Sequence, residues 1–558
     1  MDWQARNTAL TADWSTHEVA NVVTELCDYN VFTTDLPLQE AVRRSDASVH
    51  WVELADYGAR LGSAETIRMA EQANHVPPEL HAFDRQGRRI DRVEFHPGWH
   101  AIMRMMREQG LATQPFSDPR PGAWAAYAAG FSMHGQIEAG STCPNAMTFA
   151  CTPVLWRNPE LFAALKPKLY SRIYDARDIP LEQKNSILIG MGMTEKQGGS
   201  DVRSNTSRAD PLGNGEYLIT GHKWFFSAPM CDAHLVVART DSGPACFYVP
   251  RYRPDGSKNP VQIQRLKDKV GNRSNSSSEV EFRGAWGRMV GEEGRGIAVI
   301  IEMAAYTRLN CVMGSAGAMR QCLVQAMHHA RHRRAFGKLL LDQPLMRNVL
   351  TDMALESEAA TLLMMRLAQA FGGADADRLH GAYKRIVTPA AKLWLAKRGI
   401  ELAAEAMEVF GGNGYVEESP VGRLYRDAPV ISIWEGSGNV MALDIIRAIG
   451  REPQALQTLL DDLLPFCRQD ARLAPAAQAL AAALNAGRGR GEETEWLARR
   501  LAQQLVLLVQ ARLLVEQSPA CVADAFIASR FDPQWGRVFG LLPPGIDHAA
   551  ILERAWPA

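Results

Sequence analysis

The spacing of apolar positions changes three times along the chain. Residues 1–190 mix polar and apolar positions at helical spacing, as in Trp124–Ser132 and Leu161–Tyr174, and predict an N-terminal helical domain. A polar, proline-rich insert, His75–His100, interrupts it. Over 191–290 the period shortens. Tyr217–Thr220, His222–Phe226, His234–Ala238, Ala245–Val249 and Ser278–Phe282 are short β-branched or aromatic runs. Turn sequences such as Pro211-Leu212-Gly213-Asn214-Gly215 and Pro254-Asp255-Gly256 separate them, which predicts an antiparallel β-domain. Helical spacing returns over 291–450, where Leu350, Met353, Ala354, Thr361, Met364, Met365 and Ala368 form one apolar set. Residues 451–558 read as a C-terminal helical domain, with Leu456, Leu459, Leu460, Leu463 and Leu464 in one stripe and a Gly/Arg loop at Ala486–Glu493. The expected fold is mainly α with a central β-domain.

Composition narrows the function classes. A chain of 558 residues with 46% hydrophobic positions buries a large core without disulfides or metal. Its nine cysteines are scattered, with no CxxC, which argues against a disulfide framework or zinc site and for a reducing cytoplasm. Met1-Asp2-Trp3-Gln4 opens no signal peptide, and no apolar run reads as a membrane span. His96 and His100 have metal-ligand spacing, but Pro97 and Gly98 are expected to break a helix there and no third ligand is near, so no metal is expected. Net charge is −1, so any polyanion must meet a local patch. The last block, 451–558, holds 11 Arg, no Lys and 12 acids and is no basic domain. The run His328, His329, Arg331, His332, Arg333, Arg334 reads as a solvated helix end.

Three motifs carry chemistry. The first is Gly192-Met193-Thr194-Glu195-Lys196-Gln197-Gly198-Gly199-Ser200-Asp201-Val202-Arg203-Ser204, where helical texture gives way to strand. Thr194 and Ser200 offer hydroxyls, and Gly198 and Gly199 let backbone N–H groups approach an anion closely. On its own, Gly-Gly-Ser-Asp is also an ordinary turn before a strand. The second is Glu408, Gly411, Gly412, Gly414, Tyr415, Glu418, Arg423 and Asp427; such a glycine run also ends ordinary helices. The third is Ile433-Trp434-Glu435-Gly436-Ser437-Gly438-Asn439. A buried Glu435 suits proton abstraction, and a glutamate before a helix also suits the helix dipole. Two further stretches stand out, Gly221-His222-Lys223-Trp224-Phe225-Phe226-Ser227 and Arg333-Arg334-Ala335-Phe336-Gly337-Lys338 with Gln343.

The first two motifs match both signatures of the acyl-CoA dehydrogenase family, and the third resembles its catalytic segment. Met193–Ala209, Leu266–Asn275, the insert and the added C-terminal helices resemble its alkylation-response AidB branch. The resemblance implies an FAD cofactor, with Glu435 as catalytic base. It implies cofactor contacts at Met193, Thr194, Gly199, Ser200, Val202, Trp224, Phe226, Ser227, Gly411, Gly412, Trp434, Ser437 and Asn439. Across a subunit interface it implies Arg333, Phe336 and Gln343, hence a homodimer at least and by analogy a homotetramer. The branch implies a double-stranded-DNA-binding flavoprotein of the adaptive response to alkylation damage, with at most weak acyl-CoA dehydrogenase activity. The candidate DNA-contacting arginines are Arg447, Arg468, Arg472 and Arg530. Ala305 stands where the family often has an acid three residues before the arginine that here is Arg308, which weakens the case for tight acyl-CoA binding. The alternative is a metabolic acyl-CoA dehydrogenase with an added helical domain.

Overall fold

The computed structural model describes residues 16–486 and 491–556. The readings of Met1–Gln4 and of the centre of the Ala486–Glu493 loop lie outside them. The N-terminal part packs α1 (Leu36–Arg44), α2 (Trp51–Leu61), α3 (Ala64–His75), α4 (Pro97–Glu108), α5 (Ala123–Ile137), α6 (Thr142–Leu155) and α7 (Pro159–Leu169). Its insert is not irregular. It forms a hairpin, β1 (Glu79–Phe83) and β2 (Arg89–Glu94), antiparallel with Leu80 opposite Val93. Pro97 does not break a helix; it occupies the first turn of α4, where a missing N–H costs nothing, and His96 caps that helix by accepting from Gly98 N at 3.1 Å.

The β-domain is a closed barrel. Its strands are β3 (Ile189–Gly192), β4 (Arg208–Gly213), β5 (Glu216–Ser227), β6 (Ala233–Thr240), β7 (Gly243–Pro250), β8 (Val261–Leu266) and β9 (Ser277–Val290). The ring runs β6-β4-β5-β9-β7 and returns to β6, which leaves those strands no free edge; β3 and β8 attach outside it. The two expected runs around Tyr217 and His222 are one strand, β5, bent where its register on β9 shifts after Ile219. Its interior is Ile219, Phe226, Val236, Phe247 and Phe282.

The bundle is α8 (Gly296–His332), α9 (Pro344–Gly373), α10 (Thr388–Phe410), α11 (Pro420–Ile431) and α12 (Gly438–Arg451). Helix α8 is long and apolar enough to cross a membrane, contrary to the reading that no such run exists, yet 67% of its most apolar window is buried in protein. A helix surrounded by others has no polar stripe to show. The expected α9 set, Leu350 to Ala368, is buried throughout. His329, read as solvated, is buried and stacks on Phe410 at 4.3 Å. After these come α13 (Pro453–Gln469), α14 (Ala474–Ala486), α15 (Gly491–Gln517), α16 (Ala520–Arg530) and α17 (His548–Ala555). Leu456, Leu459, Leu463, Leu508 and Phe526 belong to the same continuous core as Leu350 and Leu395.

Candidate functional site

Glu435 lies in the short turn between α11 and α12, with φ of 57°. A non-glycine residue held there carries of order 1–3 kcal/mol of strain that its surroundings must sustain. Here they do. Lys392, buried in α10, donates through Nζ to the carbonyls of Trp434 at 2.8 Å and Gly436 at 2.5 Å. Arg308 Nε donates to the Glu435 carbonyl at 3.1 Å and is itself fixed by Asp444 at 2.7 Å. The carboxylate is thereby aimed at Thr307, whose Oγ1 donates to Oε2 at 2.5 Å.

The turn closes one wall of an apolar cavity of about 70 Å³, lined by Phe131, Cys143, Met147, Cys311, Leu424 and Trp434 among others. Burial raises the Glu435 pKa, against the opposing pull of the Thr307 hydrogen bond and of Arg308 and Lys392. A carboxylate at an apolar wall with a raised proton affinity is equipped to take a proton from a weakly acidic C–H. The two thiols beside it are poor nucleophiles: burial pushes Cys143 up to about 11 and Cys311 to about 12.

The first motif forms the loop after β3, and its organiser is a residue the sequence did not single out. Glu195 is fully buried and paired with Lys223 of β5 at 2.7 Å. It also accepts from the backbone N–H groups of Thr206 at 2.7 Å and Ser207 at 3.2 Å. The Thr194 carbonyl accepts from Trp224 N at 2.8 Å, and the Met193 carbonyl from Asn205 Nδ2 at 2.8 Å. Gly199 is required sterically, since a Cβ there would lie 2.4 Å from Thr194 Oγ1. Ser200 is exposed and Val202 half-buried at the start of a single 3₁₀ turn, Val202–Ser204.

The aromatic stretch of β5 needs correction. The Phe226 ring points into the barrel, stacks on His234 at 3.8 Å and touches Phe282, so it cannot face a cofactor. Trp224 lies under the Lys267 ammonium, 3.4 Å from the ring centroid. Phe225, passed over in the sequence, is 54% exposed. Ser227 is half-buried and close enough to Cys143 to lower the pKa of that thiol, which connects it to the Glu435 cavity. Strand alternation is the signal that separates Phe225 and Ser227 from Phe226.

Arg333 and Gln343 flank a two-strand hairpin, β10 (Arg334–Ala335) and β11 (Lys338–Leu339). Phe336 and Gly337 form its tip with φ of 53° and 78°, and the Phe336 side chain is 98% exposed. Gln343 Nε2 holds the Ala335 carbonyl at 3.1 Å, and the Arg333 guanidinium binds the Asn21 carbonyl of its own chain. Gly411, with φ of 63°, and Gly412 follow α10, and a Cβ on either would meet open space. Tyr415 just beyond them is 86% exposed. Ser437 precedes α12, and Asn439 Oδ1 accepts from Arg499 of α15 at 2.9 Å. The open backbone at Gly198, Gly411 and Gly412 and the exposed aromatics Phe336 and Tyr415 leave room for a flat, anionic group to approach.

The four candidate DNA-contacting arginines do not share a fate. Arg447 and Arg468 are exposed. Arg472 is exposed but paired to Asp470 at 2.6 Å and Asp524 at 2.9 Å. Arg530 is a correction: its side chain is fully buried against Asp352 at 2.5 Å and Glu356 at 2.8 Å. The guanidinium is consumed in neutralising two core carboxylates and cannot reach a phosphate.

Comparison with known proteins agrees with this geometry. The family model for the adaptive response protein AidB N-terminal domain matches residues 21–176. The acyl-CoA dehydrogenase middle-domain and C-terminal-domain models match 190–285 and 294–450. The AidB protein of Escherichia coli (strain K12) is 45% identical over 94% of this chain and 96% of its own length. Acyl-CoA dehydrogenase family member 11 of Caenorhabditis elegans is 29% identical over 76% of this chain and 71% of its own. A solved structure described as Bd2924 apo-form superposes with a TM-score of 0.82 at 29% identity, covering 89% of this chain and 99% of that one. The C. elegans ACDH-11 structure in complex with C11-CoA shares the fold with a TM-score of 0.81 at 24% identity, over 97% of this chain and 93% of that one. On these matches, and on the signatures and the Glu435 turn that agree with them, the chain belongs to the acyl-CoA dehydrogenase family, in its AidB branch.

Proposed function

We propose that this chain is an FAD-containing homotetramer that binds double-stranded DNA in the adaptive response to alkylation damage, protecting DNA or inactivating the alkylating agent, and retains at most weak acyl-CoA dehydrogenase activity. The supporting observation is the similarity to AidB over nearly the whole chain, including the N-terminal model named for that response. Members of the acyl-CoA dehydrogenase family are FAD-dependent flavoproteins. Here Thr194, Gly199, Ser200, Phe225, Ser227 and Ser437 would hold FAD from one chain, and Arg333, Phe336, Gln343, Gly411 and Gly412 from a neighbour. When bound, FAD supplies the hydride acceptor. Glu435 takes the α-proton of a thioester; Thr307 orients its carboxylate, and Lys392 and Arg308 fix the turn. The exposed Arg447 and Arg468 are the DNA contacts retained from the sequence reading. All nine cysteines are free thiols, which suits a cytoplasmic protein.

Salt titration of duplex binding tests this reading. Log K should fall linearly with log salt, by about 0.9 per phosphate neutralised. The Glu435 turn with its supports intact favours a second reading, a metabolic dehydrogenase. No duplex affinity at low salt, together with acyl-CoA turnover at ~10 s⁻¹, a median enzyme rate, would establish that reading instead.

A further inference from the structure

A second and larger cavity, of about 460 Å³, lies between the N-terminal helices and the bundle. Glu435 does not line it, nor does any glycine of the two signatures, Phe336 or Gln343. Its volume is in the range of small-molecule sites. Its walls are largely apolar, from Leu26, Ile67, Ile137 and Phe410. Two buried donors at the cavity have no partner among the described residues. Gln136, of which only 2% is exposed, leaves Nε2 unbonded, and Arg423 leaves Nε unbonded. Both belong to one neighbourhood of the cavity, since Arg423 Nη2 donates to the carbonyl of Ile137, the residue after Gln136, at 3.1 Å. An unmade hydrogen bond on a buried donor costs about 1–3 kcal/mol, so a ligand oxygen placed there gains more than it would in water.

The rest of the lining sets the ligand's charge. Among the described residues Arg423 is the one arginine lining the cavity, and Asp427 already faces it at 3.6 Å. Glu71 lines the same space and makes no hydrogen bond or ion pair within the described residues; burial and the nearby Glu25 raise its proton affinity. Glu25 and Glu418 line the cavity too. Burial keeps the flanking His329 neutral, with its pKa lowered to about 4. A carboxylate ligand would therefore meet three glutamates and one compensated arginine.

We propose that this cavity binds a neutral carboxamide with an apolar body. Its carbonyl oxygen accepts from Gln136 Nε2 and Arg423 Nε, its amide N–H groups donate to Glu71, and its apolar part lies against Ile137 and Phe410. No covalent step is involved.

Three probes that share a phenyl group and a two-carbon arm, phenylacetamide, phenylacetate and phenethylamine, test this on the FAD-loaded full-length protein by ligand-observed NMR and thermal shift, with the visible flavin spectrum recorded in parallel. Phenylacetamide should bind at least tenfold more tightly than the other two and leave the flavin bands unchanged. Gln136→Leu should weaken it about tenfold, the loss of roughly one buried hydrogen bond at 1.4 kcal/mol per decade. Glu71→Gln should narrow the gap between phenylacetamide and phenylacetate. Absence of phenylacetamide binding up to its solubility overturns the proposal. So does equal or tighter binding of the acid or amine, unchanged affinity in a folded Gln136→Leu, or a flavin spectral shift that places the probe at Glu435.

Discussion

Lys223→Met is the most informative single perturbation of the cofactor loop. It removes one half of an ion pair whose two side chains are both fully buried, 2.7 Å apart. Methionine keeps the volume and the stem packing, so the change isolates the charge. Breaking a buried pair from one side typically costs ~3–5 kcal/mol because the remaining charge is left uncompensated. Glu195 keeps its hydrogen bonds from Thr206 N, Thr206 Oγ1, Ser207 N and Gln197, which places the expected loss at the low end, about 3 kcal/mol. That is a large share of the ~5–15 kcal/mol of a typical domain. Equilibrium urea denaturation and flavin absorbance after gel filtration measure the two consequences, lower stability and lost FAD. The double change Lys223→Met with Glu195→Gln should recover more than half of the loss, since a neutral amide leaves no buried charge and its one oxygen can still accept from Thr206 N.

The pH dependence of this pair follows from the same contacts. Despite burial, Lys223 and those hydrogen bonds hold Glu195 down at about 2. A depressed carboxylate stabilises the fold above its unfolded pKa of ~4.3, and that contribution is lost as pH falls from there towards 2. The single variant should therefore be less stable at neutral pH and show a smaller further loss in acid. A folded Lys223→Met within 1 kcal/mol of the parent, with FAD retained, would refute the assignment of Glu195 as the loop's anchor.

Other expectations can be checked in the same preparations. Glu435→Gln should abolish acyl-CoA dehydrogenation, with FAD retained. It should also raise Tm at pH 7–8, because burial raises the carboxyl's pKa and so penalises its charged form there; an unchanged rate would place the base elsewhere. Phe336→Ser should lower FAD occupancy and shift the oligomer towards smaller species on sedimentation, while leaving the monomer's circular dichroism intact; full assembly with full FAD would exclude an interface role for the 98% exposed ring. Paired charge reversal, Arg447→Glu with Arg468→Glu, should weaken duplex binding and flatten its salt slope by nearly two contacts' worth, about 1.8. An unaltered slope would move the DNA site away from these arginines.

Much of the fold was legible because periodicity reports burial. The α9 stripe from Leu350 to Ala368 and the α13 leucines lie where their spacing puts them. The hairpin at Glu79–Phe83 and Arg89–Glu94 was obscured because both strands are short and largely polar; its clearest signal was the Asp84–Gly87 turn, where Gly87 has φ of 76°. The signatures located the Glu435 turn and the glycine-rich loop, because their constraints are local. They could not show Lys392 and Arg308 gripping that turn, since these residues come from α10 and α8 and only tertiary packing unites them. Phe226 was misplaced for a different reason: two adjacent aromatics on a strand face opposite ways, and a β5–β9 register shift between Lys223 and Phe226 blurs the count.

Arg530 shows why the helices after α12 cannot be treated as a removable appendage. Its guanidinium neutralises Asp352 and Glu356 of α9, and Glu356 also binds Arg398 of α10 at 3.1 Å. Further along, Gly540 N donates to Asp352 at 2.9 Å, and Arg554 pairs with both Glu358 at 2.9 Å and Glu40 of α1 at 2.7 Å. On the other side Arg499 reaches Asn439, four residues beyond Glu435. Deleting the chain after Gly450 would therefore leave two α9 acids, Asp352 and Glu358, without arginine partners, leave Glu356 with Arg398 alone, and expose the leucines of a shared core. Charge left behind in this way costs several kcal/mol per site. Loss of DNA binding in such a truncation would report unfolding as readily as loss of a contact surface. Arg530→Ala shares the defect and should lower Tm. If it instead left Tm unchanged and abolished duplex binding, the buried placement of Arg530 and the argument built on it would both be wrong. Surface substitutions at Arg447 and Arg468, which make no structural ion pair among the described residues, are the changes that separate recognition from folding.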